Sequence, residues 1–147
     1  MSDTDHRSRA PWHLWVLGLI ALVWNGLWAF DYVMTQTQGD AWLAKMEPNA
    51  TQWAYFHANP AWVDGAQAVN VWGGVLGALL LLLRRRWATW AFAASFLGWL
   101  AGAVYAFALS NGMEAMGPWW PMQLVHGGVA LFLVWYARGL SARGVLR

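Results

Sequence analysis

The chain has 147 residues, the size of one domain, of which 59% are hydrophobic, 16% aromatic and only 11% charged. A water-soluble domain carries roughly 25% charged residues, so lipid rather than water is the main solvent. The net charge of +2 implies no nucleic-acid partner, and the absence of cysteine excludes disulfides, thiolate metal sites, cysteine nucleophiles and c-type haem attachment.

The N-terminal tail, 1–11, carries Asp3, Asp5, Arg7 and Arg9. The apolar run after it lacks a small-residue cleavage site and reads as a retained helix rather than a signal peptide. The first span is predicted over 12–35, with Pro11 suiting its first turn. Asn25, Asp31 and Tyr32 enter only in its second half. Gly39 and Asp40 break it. In the long loop to Pro60, Trp42, Leu43 and Met46 share one side of a short helix, and Trp53 and Phe56 share one side of another, with Pro48 between. This pattern fits an amphipathic element lying in the membrane interface, and equally an irregular loop with anchoring aromatics.

The second span is predicted over 60–83, with Asn59 as N-cap and Pro60 as first helical residue. Trp62 to Leu83 is a run of 22 residues, where about 20 cross a hydrocarbon core ~30 Å thick. Arg84-Arg85-Arg86 stops it, because such a charge cluster does not stay in lipid. Its far half is leucine-rich, and its near half holds Asp64, Gln67 and Asn70. The third span is predicted over 87–110, ended by Asn111-Gly112. Ala94, Gly98, Gly102 and Ala106 form a small-residue stripe on it that lets another backbone approach, with Gly73-xxx-Gly77 as its counterpart. A turn with Glu114 leads to Pro118-Trp119-Trp120-Pro121 and the fourth span, 118–137, followed by the tail 138–147.

Arg7, Arg9, Arg84, Arg85, Arg86, Arg138, Arg143 and Arg147 fall on one side of these spans, and Lys45 alone on the other. Basic short loops stay cytoplasmic. The expected architecture is therefore an all-α integral membrane four-helix bundle with both termini cytoplasmic and an interfacial loop between its first two spans. Trp12, Trp15, Trp87, Trp90 and Trp135 would mark the inner interface, and Trp53, Trp62, Trp119 and Trp120 the outer one.

At 1.5 Å per residue, Asn25 lies near the middle of its span and Asp31, Tyr32, Asp64, Gln67, Asn70, Tyr105, Ser110, Gln123 and His126 lie in the outer halves, with Thr89 and Ser95 as exceptions in the inner ones. A charge at mid-bilayer costs at least ~2.5 kcal/mol, so these groups should face one another or a wet cavity, here a polar vestibule open outward. Each has a structural alternative. Asp31 and Asp64 lie near span ends, within reach of the headgroup layer. Gln67 and Asn70 could bond between helices, and Asn25 could bond a neighbouring backbone. His126, followed by Gly127-Gly128, leaves room for a bulky neighbour and could bind a metal, carry a proton or be hydrogen-bonded structure. A haem needs a second histidine at the same depth. His57 lies outside the span and His13 at the opposite end, so no haem is expected. His126 with Asp31, Asp64 or Glu114 would offer a divalent metal N and O ligands, but no fixed spacing supports such a site, and no metal or other cofactor is expected. No phosphate loop, nucleophile elbow or His-Glu-x-x-His motif is present, and no enzymatic activity is expected.

Leu22-Val23-Trp24-Asn25-Gly26 with Asp31-Tyr32, Pro60-Ala61-Trp62, Gly73-Gly74-Val75-Leu76-Gly77, Arg84-Arg85-Arg86-Trp87-Ala88 and Tyr105-Ala106-Phe107 together resemble a family of small bacterial four-helix inner-membrane proteins. Some members carry the automatic label "sugar transporter". The likeness runs from Trp12 to the C-terminus and implies a bacterial inner-membrane location; it brings no defined binding residues with it. Two functions are consistent with these observations. One is a small-solute, sugar-type transporter or binder, which with only four spans would work as a homo-oligomer. The other is a non-catalytic accessory or scaffold subunit of a larger membrane complex. Beyond the lipid bilayer, the expected partners are a small polar solute and a second copy or companion subunit.

Overall fold

The computed structural model describes residues 9–147; Arg7 and the two aspartates of the tail lie outside them. The described residues form helices and turns with no strand. Helix α1 (Trp12–Gln38) runs three residues past its expected end and stops at Gly39, whose φ of +52° suits a residue without a Cβ and whose N–H bonds Thr35 O at 2.9 Å. The long loop is itself helical. Asp40–Leu43 forms α2, which runs into a 3-10 turn, and Ala50–His57 forms α3. A capping box opens α3: Gln52 N–H donates to Asn49 Oδ1 at 3.0 Å, and Asn49 N–H donates to Gln52 Oε1 at 2.9 Å.

Helix α4 spans Ala61–Leu82, with Pro60 in extended conformation as its N-cap. The expected cap, Asn59, instead turns its amide to Asp64. Helix α5 (Ala88–Val104) continues as a π-helical turn over Tyr105–Leu109 and ends at the extended Ser110. The short α6 (Gly112–Met116) leads through a 3-10 turn to α7 (Pro121–Ala142), which carries Arg138 on its last turns beyond the predicted end of the span. The residues after it are not a free tail. Val145 and Leu146 are buried, and Arg147 pairs through its backbone with Arg84 and Arg86 at 2.7 and 2.8 Å.

Four stretches are long and apolar enough to cross a membrane: Trp12–Gln38, Ala61–Leu82, Ala88–Leu109 and Pro121–Ala142. α4 packs most extensively on α5, α1 on α4, and α7 on α5. Side chains close the ring between α7 and α1, where His13 Nδ1 meets Tyr136 Oη and His126 lies against Trp24 and Trp28. A dry core of Leu14, Leu81, Phe92, Leu133 and Leu140 fills the end near Arg84–Arg86. The outside of the ring is just as apolar: Leu19, Ile20, Leu27, Leu76, Leu97 and Leu131 are each more than half exposed. Water does not tolerate apolar surface on this scale; hydrocarbon does.

The α4–α5 contact depends on two glycines. A Cβ on Gly98 would stand 2.5 Å from Ala66 O and 2.7 Å from Asn70 N, and one on Gly73 would stand 3.0 Å from both Ala91 O and Ser95 N. Gly77 packs on the Phe92 ring. The predicted stripe on α5 is used only in part: Ala94 is exposed and Gly102 faces open space. Gly98→Val should therefore cost about 1–3 kcal/mol of stability by overpacking, whereas Gly102→Ala should be close to neutral. Unfolding of both variants in mixed detergent micelles checks this difference.

Candidate functional site

Helical periodicity brings polar residues of the first, second and fourth spans and a small-residue face of the third to the end of the bundle opposite Arg84–Arg86. On α1, Asp31, Tyr32 and Thr35 share a side; on α4, Val63, Asp64 and Gln67; on α5, Trp99, Gly102, Ala103 and Ala106. With Gln123 of α7 they wall a cavity of about 320 Å³. Its roof is the helical excursion after α1, which contributes Leu43, Met46, Tyr55 and Phe56, followed by Asn59. Gly102 helps to keep the space open, since it presents no side chain to the void.

Both carboxylates of the wall are held by neutral N–H donors that also fasten the roof. Trp42 Nε1 donates to Asp31 Oδ1 at 2.9 Å, and Asn59 Nδ2 donates to Asp64 Oδ1 at 2.6 Å. Lys45 Nζ lies 4.5 Å from the centre of the Trp42 ring, while Phe30 meets that ring edge-on. Tyr105 stands beside the cavity rather than in its wall. Its hydroxyl donates to Ala58 O at 3.2 Å, and its ring packs on Tyr55 and Trp62. Burial pushes the Tyr55 phenol above the usual tyrosine pKa, Tyr105 pushes it further the same way, and a hydrogen bond with Ser110 partly offsets both. Tyr55 therefore faces the cavity as an uncharged hydroxyl at neutral pH.

Three residues further in along α4, about 4.5 Å at 1.5 Å per residue, lies a second polar layer, made of Asn70, Ser95 and His126. Ser95 Oγ donates to Asn70 O at 2.6 Å and lies 3.2 Å from Asn70 Oδ1, and Asn70 Nδ2 lies 3.3 Å from His126 Nε2. The imidazole packs against Trp28 and Trp24, with ring centroids 5.0 and 6.0 Å away. Deeper still, Asn25 Nδ2 donates to Ala21 O of its own helix at 2.8 Å, and its side chain fills the space before Gly74. Every buried side-chain nitrogen and oxygen among the described residues has a partner. The inner layer is thus tied together by its own hydrogen bonds.

The structure divides the sequence-predicted site accordingly. Asp31, Tyr32, Asp64, Gln67 and Gln123 line one cavity. Asn25, Asn70 and His126 lie beneath it, and Tyr105 stands to one side. The room beside His126 is taken at Gly127 by the Trp99 indole, whose N–H donates to Gln123 O at 3.1 Å, and Gly128 faces open space. Among the described residues no three His, Asp or Glu side chains converge as metal ligands; His57 pairs with Asp40 on the exposed surface at 3.0 Å. Sequence reasoning missed Trp99, Tyr55, Phe56 and Asn59. Tyr55 and Phe56 were signalled only by the amphipathic pattern around Trp53. No family model, curated protein or solved structure matches this chain.

Ser95→Ala removes both contacts to Asn70 without reaching the cavity. A hydrogen bond between membrane helices is worth about 0.6 kcal/mol on average and at most ~1.7. The variant should lose stability within that range, as read by unfolding in mixed micelles, and keep its fold.

Proposed function

We propose that this chain is a multi-pass inner-membrane protein that binds a small polar solute, as a transporter-like binder, in the cavity roofed by α2 and α3. The observation that carries the reading is the cavity itself. About 320 Å³ of space stands in the polar half of a membrane bundle, at the low end of the roughly 300–1,000 Å³ that small-molecule sites occupy.

The wall chemistry suits a hydroxylated, sugar-type solute. Gln67 and Gln123 can each donate and accept, and Asp31 and Asp64 retain an oxygen apiece beyond those bonded to Trp42 and Asn59. Tyr55, Phe56 and Trp99 offer flat apolar faces to the carbon side of such a ring. The hydrogen-bonded Asn70–Ser95–His126 layer and the apolar core beneath it leave the solute no route through this conformation. Passage would require the helices to rearrange, and two copies of so small a bundle supply more surface for that than one. Charge bias places the Arg84–Arg86 end in the cytoplasm, so the cavity belongs to the outer half.

Isothermal titration of the detergent-solubilised protein against hexoses, pentoses and linear polyols tests the reading. The Gln67→Leu/Gln123→Leu pair should weaken binding roughly tenfold or more, since each lost neutral hydrogen bond costs about 0.5–1.5 kcal/mol, while Ser95→Ala should bind as wild type does. Equal binding by the double variant and the wild type, or no binding by either, overturns it.

A further inference from the structure

At the opposite end of the bundle a second space of about 600 Å³ lies between α5 and α7. Its polar part is made by Arg86 and Arg138, both exposed, which lie on either side of the level of Thr89 and Ser141 along the helices. The two hydroxyl oxygens are 3.3 Å apart and tie α5 to α7. One hydroxyl hydrogen serves that bond, which leaves the other for an outside acceptor. No acidic residue is in the wall among the described residues. The rest of the lining is apolar: Ala93 and Val134, deeper along their helices than Thr89 and Ser141, with Trp87 and Trp90.

We infer that this groove seats an anionic phospholipid, with its phosphate between Arg86 and Arg138 and an acyl chain along Ala93 and Val134. Charge complementarity selects the headgroup. Guanidinium groups are weakly hydrated forks that match phosphate oxygens two at a time, and no carboxylate among the described residues of the wall competes for them. The change from charged to apolar along one groove matches the order of groups in a lipid. Depth agrees as well. Trp12, Trp87, Trp90 and Trp135 are 64–75% exposed at this end, where an aromatic belt marks the boundary between headgroups and hydrocarbon. Basic pockets between membrane helices hold anionic headgroups on this principle. The site is independent of the solute cavity, which lies in the other half of the bundle.

The test is native mass spectrometry of the full chain, released from micelles containing equal amounts of phosphatidylglycerol and phosphatidylcholine. The wild type should retain phosphatidylglycerol in preference. Arg86→Gln and Arg138→Gln should each reduce that preference roughly fivefold, the equivalent of about 1 kcal/mol per arginine near an anionic lipid. Arg143→Gln should leave it unchanged, because Arg143 lies outside the groove, its Nε bonded to Gly139 O. Thermal unfolding in the same micelles provides a second readout, in which phosphatidylglycerol stabilises the wild type and not the Arg86→Gln/Arg138→Gln pair. Equal retention of the two lipids by the wild type, or a preference that survives in the double variant, overturns the inference. Stabilisation by inorganic phosphate equal to that by the lipid would assign the groove to a soluble anion and overturn it equally.

Discussion

The close approach of α4 to α5 at Gly98 and Gly73 is the contact on which the other features of the bundle rest. Lipid supplies no hydrophobic drive between helices, so they are held by dispersion and by hydrogen bonds, both of which fall off over a fraction of an ångström. Without a Cβ at Gly98, the Asn70 turn of α4 settles directly on α5. Ser95, three residues earlier on α5, then reaches the Asn70 carbonyl, and the Asn70 amide extends to His126 on α7. His126 in turn rests on two tryptophans of α1. One chain of contacts thus ties all four spans together at a single depth.

That layer divides the molecule. Towards Arg84–Arg86, aliphatic side chains and Phe92 interlock, and the C-terminal residues tuck under the arginine turn, with Arg84 Nε donating to Val145 O at 3.1 Å. Towards the other end the helices enclose space. The π-helical turn of α5 contributes here: wider than an α-turn, it leaves carbonyls to be bonded from elsewhere, and Ser110 Oγ takes that of Tyr105 at 2.8 Å. Tyr105 projects from this turn and pins the end of α3. The same end therefore combines a fastened roof with an unfilled interior, as a site for a small ligand requires.

The two ends differ in how they treat charge. At the cavity, Asp31 and Asp64 accept from neutral indole and amide donors, which hold the carboxylates in place without cancelling them. At the other end, Arg86 and Arg138 are exposed beside a groove whose wall holds no carboxylate among the described residues, the basis for proposing lipid phosphate there. Each end is organised around groups whose interactions within the chain leave capacity to spare.

Depth was legible in the residues themselves. Runs of apolar residues, the arginine stop and the tryptophan belts located four spans, and counting along each placed Asp31, Asp64, Gln67, Gln123 and His126 in the same half. Rotation about each helix axis was not legible. In water the apolar stripe of a helix reveals its inner face, but in lipid both faces are apolar, so Asn70 and Gln67, three residues apart, carry the same signal. Only the packing of α4 on α5 turned Asn70 into a buried contact between helices and left Gln67 in the cavity wall. Tertiary structure alone also brought Trp99, Tyr55 and Phe56 to that wall and folded the last residues beneath Arg84–Arg86, because these are contacts between distant segments whose geometry no local pattern encodes.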